Sequence, residues 1–322
     1  MQGIGIGVPE KVLTNAELES MVDTTDEWIT QRTGIRERRI CSEFETASTL
    51  SITASREALE RAGMAPEQLD LIVCGTVTGD MPFPATACLI QEQLGARNAG
   101  AFDLGAACAG FIYSTSVAAA MIENGLIDSA LVIGVDVLTK FVDWTDRSTC
   151  ILFGDGAGAI VLKGEFHTDR GVIDTVLMAD GTGSPHINME VGGSLHPLCN
   201  PKSDQFRRTV FMAGKEVYRF AVNAMGDACC KLLERTGLTP QDIDLFVPHQ
   251  ANIRIIESAA RRLELPDEKV FINVHKYGNT SAGSVPIALY EAEKEGRLKK
   301  GDVVMTVGFG AGLVWGANVI RW

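Results

Sequence analysis

The chain has 322 residues, of which 46% are hydrophobic and 22% charged, and its formal net charge at pH 7 is −12. This length predicts about two domains, and the composition is typical of a globular protein. The negative charge argues against a nucleic-acid partner. No stretch approaches the ~18 consecutive apolar residues of a membrane span, and the first residues, MQGIGIGVPE, lack the pattern of a signal peptide. We therefore expect a cytoplasmic protein with no membrane partner.

Along the chain, one segment is written twice. Residues 61–76, RAGMAPEQLDLIVCGT, match residues 235–250, RTGLTPQDIDLFVPHQ, at a constant offset of 174. Each copy predicts a helix that ends at a glycine, then a proline, an acidic turn and a short apolar strand. Apolar strands that alternate with helices indicate a parallel or mixed sheet covered by helices. We predict an α/β protein of two pseudo-symmetric halves, residues 1–165 and 166–322, the second of which opens with an irregular excursion over 166–209.

Cys108 follows a short apolar run in the segment LGAACAGFIYS. Between Ala109 and Ile122 the sequence has almost no polar stripe, which predicts a buried helix that stops at Asn124-Gly125. A thiol at a helix N-terminus meets free N–H groups that favour the thiolate. Cys108 is therefore a candidate nucleophile, with a buried structural cysteine as the alternative.

His249 ends the apolar strand of the second repeat, in LFVPHQAN, where an α/β sheet meets its ligands. Asn279, in YGNTSAGS, holds roughly the place in the second half that Cys108 holds in the first, which predicts that the two face each other. A satisfied strand-end histidine and a turn asparagine remain the structural alternatives. The other four histidines lie in polar segments and are predicted on the surface: His167, His186, His196 and His275.

The eight cysteines include no CxxC pair, so we predict neither a disulfide framework nor a metal site. The segment GDGAGA at 154–159 fits a loose dinucleotide fingerprint, but the following IVLKGE reads as a strand and not as the helix that binds phosphate. The glycines are better explained by tight strand connections, and we expect no bound cofactor.

Six motifs closely resemble the β-ketoacyl-acyl-carrier-protein synthase III family of the thiolase superfamily: MVDTTDEWITQRTGI, AACAGFIY, LFGDGAGAIVL, VPHQANIRI, YGNTSAGSVPIAL and FGAGLVWG. The resemblance implies a thiolase-like fold of two βαβαβαββ halves in α/β/α/β/α layers. It also implies a decarboxylative condensation of a short acyl-CoA with malonyl-acyl carrier protein, and acetyl-CoA is the primer that we expect. Acyl-CoA is then a substrate and not a cofactor, and a homodimer is implied.

By the same resemblance, Cys108 carries the acyl group, while His249 and Asn279 donate hydrogen bonds to the enolate. The oxyanion hole is the backbone of Cys108 and of Ala311, where the family usually has glycine. The remaining assignments also follow from the resemblance: CoA binding by Trp28, Arg32, Arg147, Ala213, Gly214 and Asn252, and an acyl pocket with Phe309 and, from the neighbouring subunit, Phe83.

The predicted helix 251–264 places Arg254 and Arg261 on one face, with Arg262 beside them. An acidic carrier protein needs a basic surface, so we predict a dock here, which Arg219 joins by resemblance. An ordinary solvated helix face is the alternative.

Other functions remain open. Degradative thiolases carry a second catalytic cysteine near the C-terminus, and elongating synthases a second histidine where Asn279 stands, so both are disfavoured. A related Cys-His-Asn enzyme of secondary metabolism shares the whole pattern. An NAD-dependent dehydrogenase and a non-catalytic scaffold are rivals from other classes.

Overall fold

The computed structural model of the protein describes residues 1–166 and 168–322. Its strands are β1 (Gly3–Gly7), β2 (Val12–Thr14), β3 (Glu37–Arg39), β4 (Leu71–Gly75), β5 (Gly100–Leu104), β6 (Ser129–Val137), β7 (Asp155–Lys163), β8 (Gly171–Ala179), β9 (Ile187–Asn188), β10 (Phe211–Met212), β11 (Leu245–Pro248), β12 (Val303–Gly310) and β13 (Val314–Arg321). The α-helices are α1 (Asn15–Leu18), α2 (Asp26–Thr33), α3 (Ala47–Ala62), α4 (Thr86–Leu94), α5 (Gly110–Glu123), α6 (Arg147–Cys150), α7 (Gly214–Thr236), α8 (Ile253–Arg262), α9 (Val274–Tyr277) and α10 (Ser284–Lys294).

Two main sheets carry the predicted duplication. The first has the strand order β1-β7-β6-β4-β5 and the second the order β8-β13-β12-β11. In both, the pairing is parallel at the β4 or β11 side and antiparallel at the other side. The counterpart of β5 is reduced to a single parallel bridge between Phe246 and Val270. The second half thus repeats the topology of the first with one strand shortened.

Helices α5 and α10 lie between the two sheets. Phe111 and Ile112 of α5 share one apolar core with Val285 and Leu289 of α10, and strand residues of both sheets join it. Helices α3 and α4 cover the outer face of the first sheet, and α7 and α8 cover the second. The predicted α/β/α/β/α layering is confirmed, as is the buried helix after Cys108, which has Asn124 as its C-cap and is followed by Gly125 at a φ of 67°.

The offset of 174 extends beyond the repeated segment. It relates the first residues of β6 and β12, Ser129 and Val303, and those of α5 and α10, Gly110 and Ser284. At this offset Cys108 corresponds to Ala282, so Asn279 lies three residues before the exact counterpart of Cys108. Asn279 instead lies in the turn that leads into the equivalent helix.

Within the described ranges, no helix is both long and apolar enough to cross a membrane. The predicted boundary at residue 165 falls between β7 and β8. It stays a prediction, because strands of both halves share one core.

Candidate active site

Cys108 lies in a 3₁₀ turn, Ala107–Ala109, between β5 and the first residue of α5. The turn is pressed against β12: a Cβ on Gly310 would lie 2.5 Å from the backbone nitrogen of Cys108. Only a glycine allows so close an approach, since any side chain would clash with the main chain. The packing therefore fixes Cys108 at the N-terminal end of α5, against the second sheet.

The thiol of Cys108 is half-buried, and burial raises its pKa to about 12. A hydrogen bond from the Ser281 hydroxyl and the backbone N–H of Cys108 itself act in the opposite direction, while the nearby Asp136 carboxyl raises the pKa further. The resting sulfur is therefore a thiol at neutral pH, and its ionisation depends on hydrogen-bond donors.

His249 follows the last residue of β11 and is buried, with 1% of its surface exposed. Its Nδ1 lies 2.6 Å from the hydroxyl oxygen of Ser284, and its Nε2 has no hydrogen-bond partner among the described residues. Burial lowers the pKa of the imidazole to about 3, so the ring is neutral at physiological pH. The ring of Phe309 packs edge-on at 5.4 Å between centroids.

Asn279 is held through its backbone. Its N–H donates to the Leu152 carbonyl at 2.8 Å, and its carbonyl accepts from Gly154 at 3.0 Å. Its Oδ1 accepts the backbone N–H of Ser281 at 2.9 Å. Because a backbone N–H can only donate, the oxygen of the amide must face Ser281, which leaves the NH₂ group for the cavity.

A cavity of about 570 Å³ brings the three predicted catalytic residues together. Cys108, His249 and Asn279 all line it, and so do Ala311 and Phe309. A thiol and two side-chain donors at one apolar cavity can form and stabilise a covalent acyl group and a neighbouring oxyanion.

The same cavity is also lined by Trp28, Arg32 and Arg147. Both guanidinium groups lie 4.9 Å from the centroid of the Trp28 ring. Arg147 also donates to the Asp23 carbonyl at 2.5 Å. A flat aromatic surface flanked by two cations suits a nucleotide, whose base stacks and whose phosphates are negative.

Two of the three other predicted CoA positions lie on the cavity. Asn252 and Gly214 line it, but Ala213 does not; its N–H donates to the His186 carbonyl at 2.8 Å. Asn252 also has a structural task, since its Oδ1 caps α8 at the Arg254 N–H and its Nδ2 donates to the Arg32 carbonyl. Asn252 thus connects the start of α8 to α2, the helix that carries Trp28 and Arg32.

Phe83 does not line the cavity of its own chain. It belongs to a loop between β4 and α4 and is 84% exposed, and Val77 and Met81 of the same loop are also exposed. A role for Phe83 in the acyl pocket requires a second copy of the chain.

The four arginines of the predicted dock differ in their surroundings and in their contact partners. Arg261 is exposed and lies 3.8 Å from Glu257, whereas Arg262 is paired with Asp227. Arg254 lines the cavity and lies 5.9 Å from the Tyr218 ring. Arg219 faces a separate shallow depression with Asp180 and His186. Arg254 and Arg261 are therefore the members best placed at the mouth and on the outer face.

Sequence reasoning missed Ser281, Ser284 and Asp136. The two serines contact Cys108 and His249, and the buried Asp136 carboxylate accepts from Thr78 and from the Ala282 N–H. The signal was present in NTSAGS, directly after Asn279. Such a segment indicates turn chemistry more readily than catalysis, because serine is common at the start of helices.

The remaining titratable candidates lie elsewhere. His275 is exposed as predicted, His186 and His196 are half-buried, and His167 lies outside the described residues. All eight cysteines are free thiols. In residues 1–166 and 168–322 no three His, Cys, Asp or Glu side chains cluster as metal ligands do.

Residues 155–159 of the glycine-rich segment belong to β7, which pairs antiparallel with β1 and β6. The segment therefore opens a strand, and the helix N-terminus that a dinucleotide pyrophosphate needs is not there.

Comparison with known proteins identifies relatives over the whole chain. The model of the 3-oxoacyl-[acyl-carrier-protein] synthase III family matches residues 102–181, and its C-terminal companion matches residues 233–322. The β-ketoacyl-[acyl-carrier-protein] synthase III of Symbiobacterium thermophilum is 55% identical over 99% of this chain and 97% of its own, and that of Caldanaerobacter subterraneus is 52% identical over 99% and 96%. The crystal structure of 3-oxoacyl-[acyl-carrier-protein] synthase III from Aquifex aeolicus superposes with a TM-score of 0.93 at 45% identity, covering 100% of this chain and 99% of the other.

Proposed function

The chain belongs to the β-ketoacyl-[acyl-carrier-protein] synthase III family, and from this premise we propose how its own residues carry out the initiating condensation of fatty acid synthesis. The enzyme joins an acyl-CoA primer to malonyl-acyl carrier protein and forms a 3-oxoacyl-acyl carrier protein. The observation that carries the proposal is the single cavity shared by Cys108, His249 and Asn279. A phenylalanine at position 83, which by resemblance closes the acyl pocket of the neighbouring subunit, supports a short primer such as acetyl-CoA.

In the first half-reaction, the Cys108 thiol gives up its proton, its sulfur attacks the thioester carbonyl of acyl-CoA, and the C–S bond to CoA breaks. The negative oxygen of the tetrahedral intermediate accepts hydrogen bonds from the N–H groups of Cys108 and Ala311, both of which line the cavity. CoA leaves as a thiolate and takes up a proton, and the acyl group remains on Cys108.

In the second half-reaction, malonyl-acyl carrier protein enters and loses CO₂. The electron pair of the broken C–C bond forms an enolate, whose oxygen accepts from the Nδ2–H of Asn279 and the Nε2–H of His249. The enolate carbon then attacks the acyl group, and Cys108 leaves as a thiolate, which takes up a proton from solvent to regenerate the resting thiol. All charges that develop are met by groups of this chain, so we propose that the reaction uses no metal or cofactor.

The donor role of His249 requires its proton on Nε2. The Ser284 hydroxyl lies 2.6 Å from Nδ1, and its oxygen accepts the Gln250 N–H at 3.4 Å. Among the described residues Nδ1 is the one acceptor within reach of the hydroxyl proton, so we assign the hydroxyl as the donor. A hydroxyl that donates to Nδ1 leaves the neutral ring protonated on Nε2. The low pKa of His249 then favours a neutral donor over a proton-transfer group.

The remaining partners follow from the surface. The CoA nucleotide binds at Trp28, Arg32 and Arg147, and the carrier protein docks on Arg254 and Arg261 with Arg219 and Arg262 nearby. Two copies of the chain pair through the exposed loop of Val77, Met81 and Phe83, which brings Phe83 to the partner's acyl pocket. Eight free thiols and acyl-CoA as substrate suit the reducing cytoplasm.

The test is mass spectrometry of the intact protein after incubation with a panel of acyl-CoAs. A mass gain equal to the acyl group, absent in Cys108→Ala, supports the proposal and identifies the primer. The malonyl-acyl carrier protein is then added, and the mass must return to that of the free enzyme. A wild-type protein that gains no mass from any acyl-CoA contradicts the proposal.

A further inference from the structure

The hydroxyl of Ser281 lies 3.1 Å from the sulfur of Cys108, although 173 residues separate the two in the chain. We infer that Ser281 is a further catalytic residue: its hydroxyl donates a hydrogen bond to the Cys108 sulfur and stabilises the thiolate. The inference rests on the proposed function, because it assigns Ser281 a part in forming and expelling that thiolate.

The direction of the hydrogen bond is set by chemistry. A thiolate has no proton and can only accept, so in a hydrogen bond between the two groups the hydroxyl is the donor once Cys108 is charged. The Asp136 carboxyl also accepts from the Ser281 side chain and competes with the sulfur for that proton. Hydrogen bonds to an ionised acceptor are about twice as strong as neutral ones. The bond is therefore strongest in the charged state that the reaction needs.

The surroundings leave this task to neutral donors. The charged group that acts on the Cys108 thiol is the Asp136 carboxylate, which disfavours a second negative charge. His249 is neutral, with Nδ1 engaged by Ser284. Among the described residues, the donors that remain for the sulfur are its own backbone N–H and the Ser281 hydroxyl, so the hydroxyl supplies a large share of the stabilisation.

The backbone conformation at Ser281 also supports a catalytic role for this residue. Ser281 has a φ of 51°, in the left-handed region that non-glycine residues rarely adopt. Two hydrogen bonds hold this conformation: the Ser281 N–H donates to Asn279 Oδ1 at 2.9 Å, and the next N–H, of Ala282, donates to Asp136 Oδ2 at 3.3 Å. Strained backbone held by its neighbours is a common property of active sites.

The pseudo-symmetry supplies a natural comparison. The residue 174 positions earlier, Ala107, has the same left-handed backbone with a φ of 44°. Alanine thus satisfies this turn in the first half without a side-chain polar group. The hydroxyl at position 281 is therefore not needed to form the turn, and it lies directly against the nucleophile.

The bond serves both half-reactions. Before acylation it raises the thiolate fraction; a pKa lower by one gives about tenfold more thiolate, while the nucleophilicity of that thiolate falls only about threefold. During condensation the thiolate is the leaving group, and stabilising it favours cleavage of its bond to the acyl carbon.

The experiment measures alkylation of Cys108 by iodoacetamide as a function of pH, without any substrate. Peptide mass spectrometry follows Cys108 and, in the same samples, the exposed Cys199 as an internal reference. Wild type is compared with Ser281→Ala, for which Ala107 is the precedent in the first half, and with Ser281→Gly, which tolerates the positive φ. Ser284→Ala is the matched control, since it removes the neighbouring hydroxyl that contacts His249.

We expect both Ser281 variants to lower the rate of Cys108 alkylation at each pH between 7 and 9 by about 3- to 10-fold, because loss of one hydrogen bond to the charged sulfur leaves less thiolate, while the remaining thiolate is more nucleophilic. The profiles of Cys199 and of Ser284→Ala should match wild type. An unchanged Cys108 profile in Ser281→Ala and Ser281→Gly overturns the inference, even if both variants have lost activity. Failure of the wild type to take up an acyl group from acyl-CoA would contradict the proposed function alone.

Discussion

The hydroxyl oxygen of Ser284 lies 2.6 Å from Nδ1 of His249, at the first residue of a helix from the second half. This contact occupies Nδ1 and leaves Nε2, which has no partner among the described residues, as the ring nitrogen free to donate in a residue that lines the cavity. The neighbouring turn carries Asn279 and Ser281, so one short segment supplies the asparagine and contacts both Cys108 and His249.

The first prediction concerns this contact. Ser284→Ala removes the donor to Nδ1 and allows the ring to place its proton on either nitrogen, which weakens the Nε2 donor. We expect condensation to slow by about tenfold, less than the loss of the whole donor. Acylation of Cys108 by acyl-CoA, followed by mass, should keep its wild-type rate; a parallel loss of acylation would point to a general disturbance of the site.

A second prediction separates the two half-reactions. His249→Ala and Asn279→Ala each remove one donor to the enolate oxygen, and each should reduce decarboxylation of malonyl-acyl carrier protein by about 10²- to 10³-fold. Release of ¹⁴CO₂ measures this step, and intact mass measures acyl transfer to Cys108, which should persist. Equal loss of both steps in either variant would contradict the assigned role.

The buried imidazole also predicts how stability depends on pH. The pKa of His249 is about 3 in the folded protein, against an ordinary value of 6.5 in the unfolded chain, so only the unfolded chain binds the proton between these values. The free energy of unfolding is therefore lost as pH falls below about 6.5, by at most about 1.4 kcal/mol per pH unit from this residue.

Urea unfolding at pH 7.5 and pH 5 measures this effect. His249→Gln lacks the titrating ring, so it should lose less stability than wild type between the two pH values. Groups common to both proteins, such as His275, cancel in the comparison. An equal loss in the two proteins would show that His249 is not responsible.

The aromatic subsite leads to a fourth prediction. Trp28→Ala removes the ring that both Arg32 and Arg147 flank, and with it the stacking surface for the base. We expect KM for acyl-CoA to rise by about tenfold or more, because stacking on an aromatic residue contributes about 1–3 kcal/mol. An acyl-pantetheine, which lacks the nucleotide, is the control, and its KM should be the same in variant and wild type.

The fifth prediction tests the dock. Arg261→Glu reverses an exposed charge on α8, whose only close acidic neighbour within the described ranges is Glu257 at 3.8 Å. KM for malonyl-acyl carrier protein should rise by about 3- to 10-fold at low salt and converge with wild type at high salt. The same reversal at Arg56 of α3, on the other half, is the matched control. If Arg56→Glu has the same effect, only net charge matters and the dock lies elsewhere.

The sequence alone determined the duplication, and with it the two sheets. The repeated glycine, proline and apolar strand are local signals, because caps, turns and buried strands depend on neighbouring residues. Cys108 and His249 stand out in the sequence because each ends or begins an element at the edge where an α/β sheet meets its ligands. Their motifs supplied the chemistry by resemblance.

The tertiary structure decided which side chains act on those residues. Ser281 and Cys108 lie 173 residues apart, and Trp28 contacts Arg147 from another segment. Neither contact can be predicted from the hydrophobic pattern of neighbouring residues. The same holds for the pKa values of Cys108 and His249, which depend on burial between the two halves. The pattern of residues determines where elements begin and end, whereas hydrogen-bond partners and desolvation are properties of segments that meet only after the chain has folded.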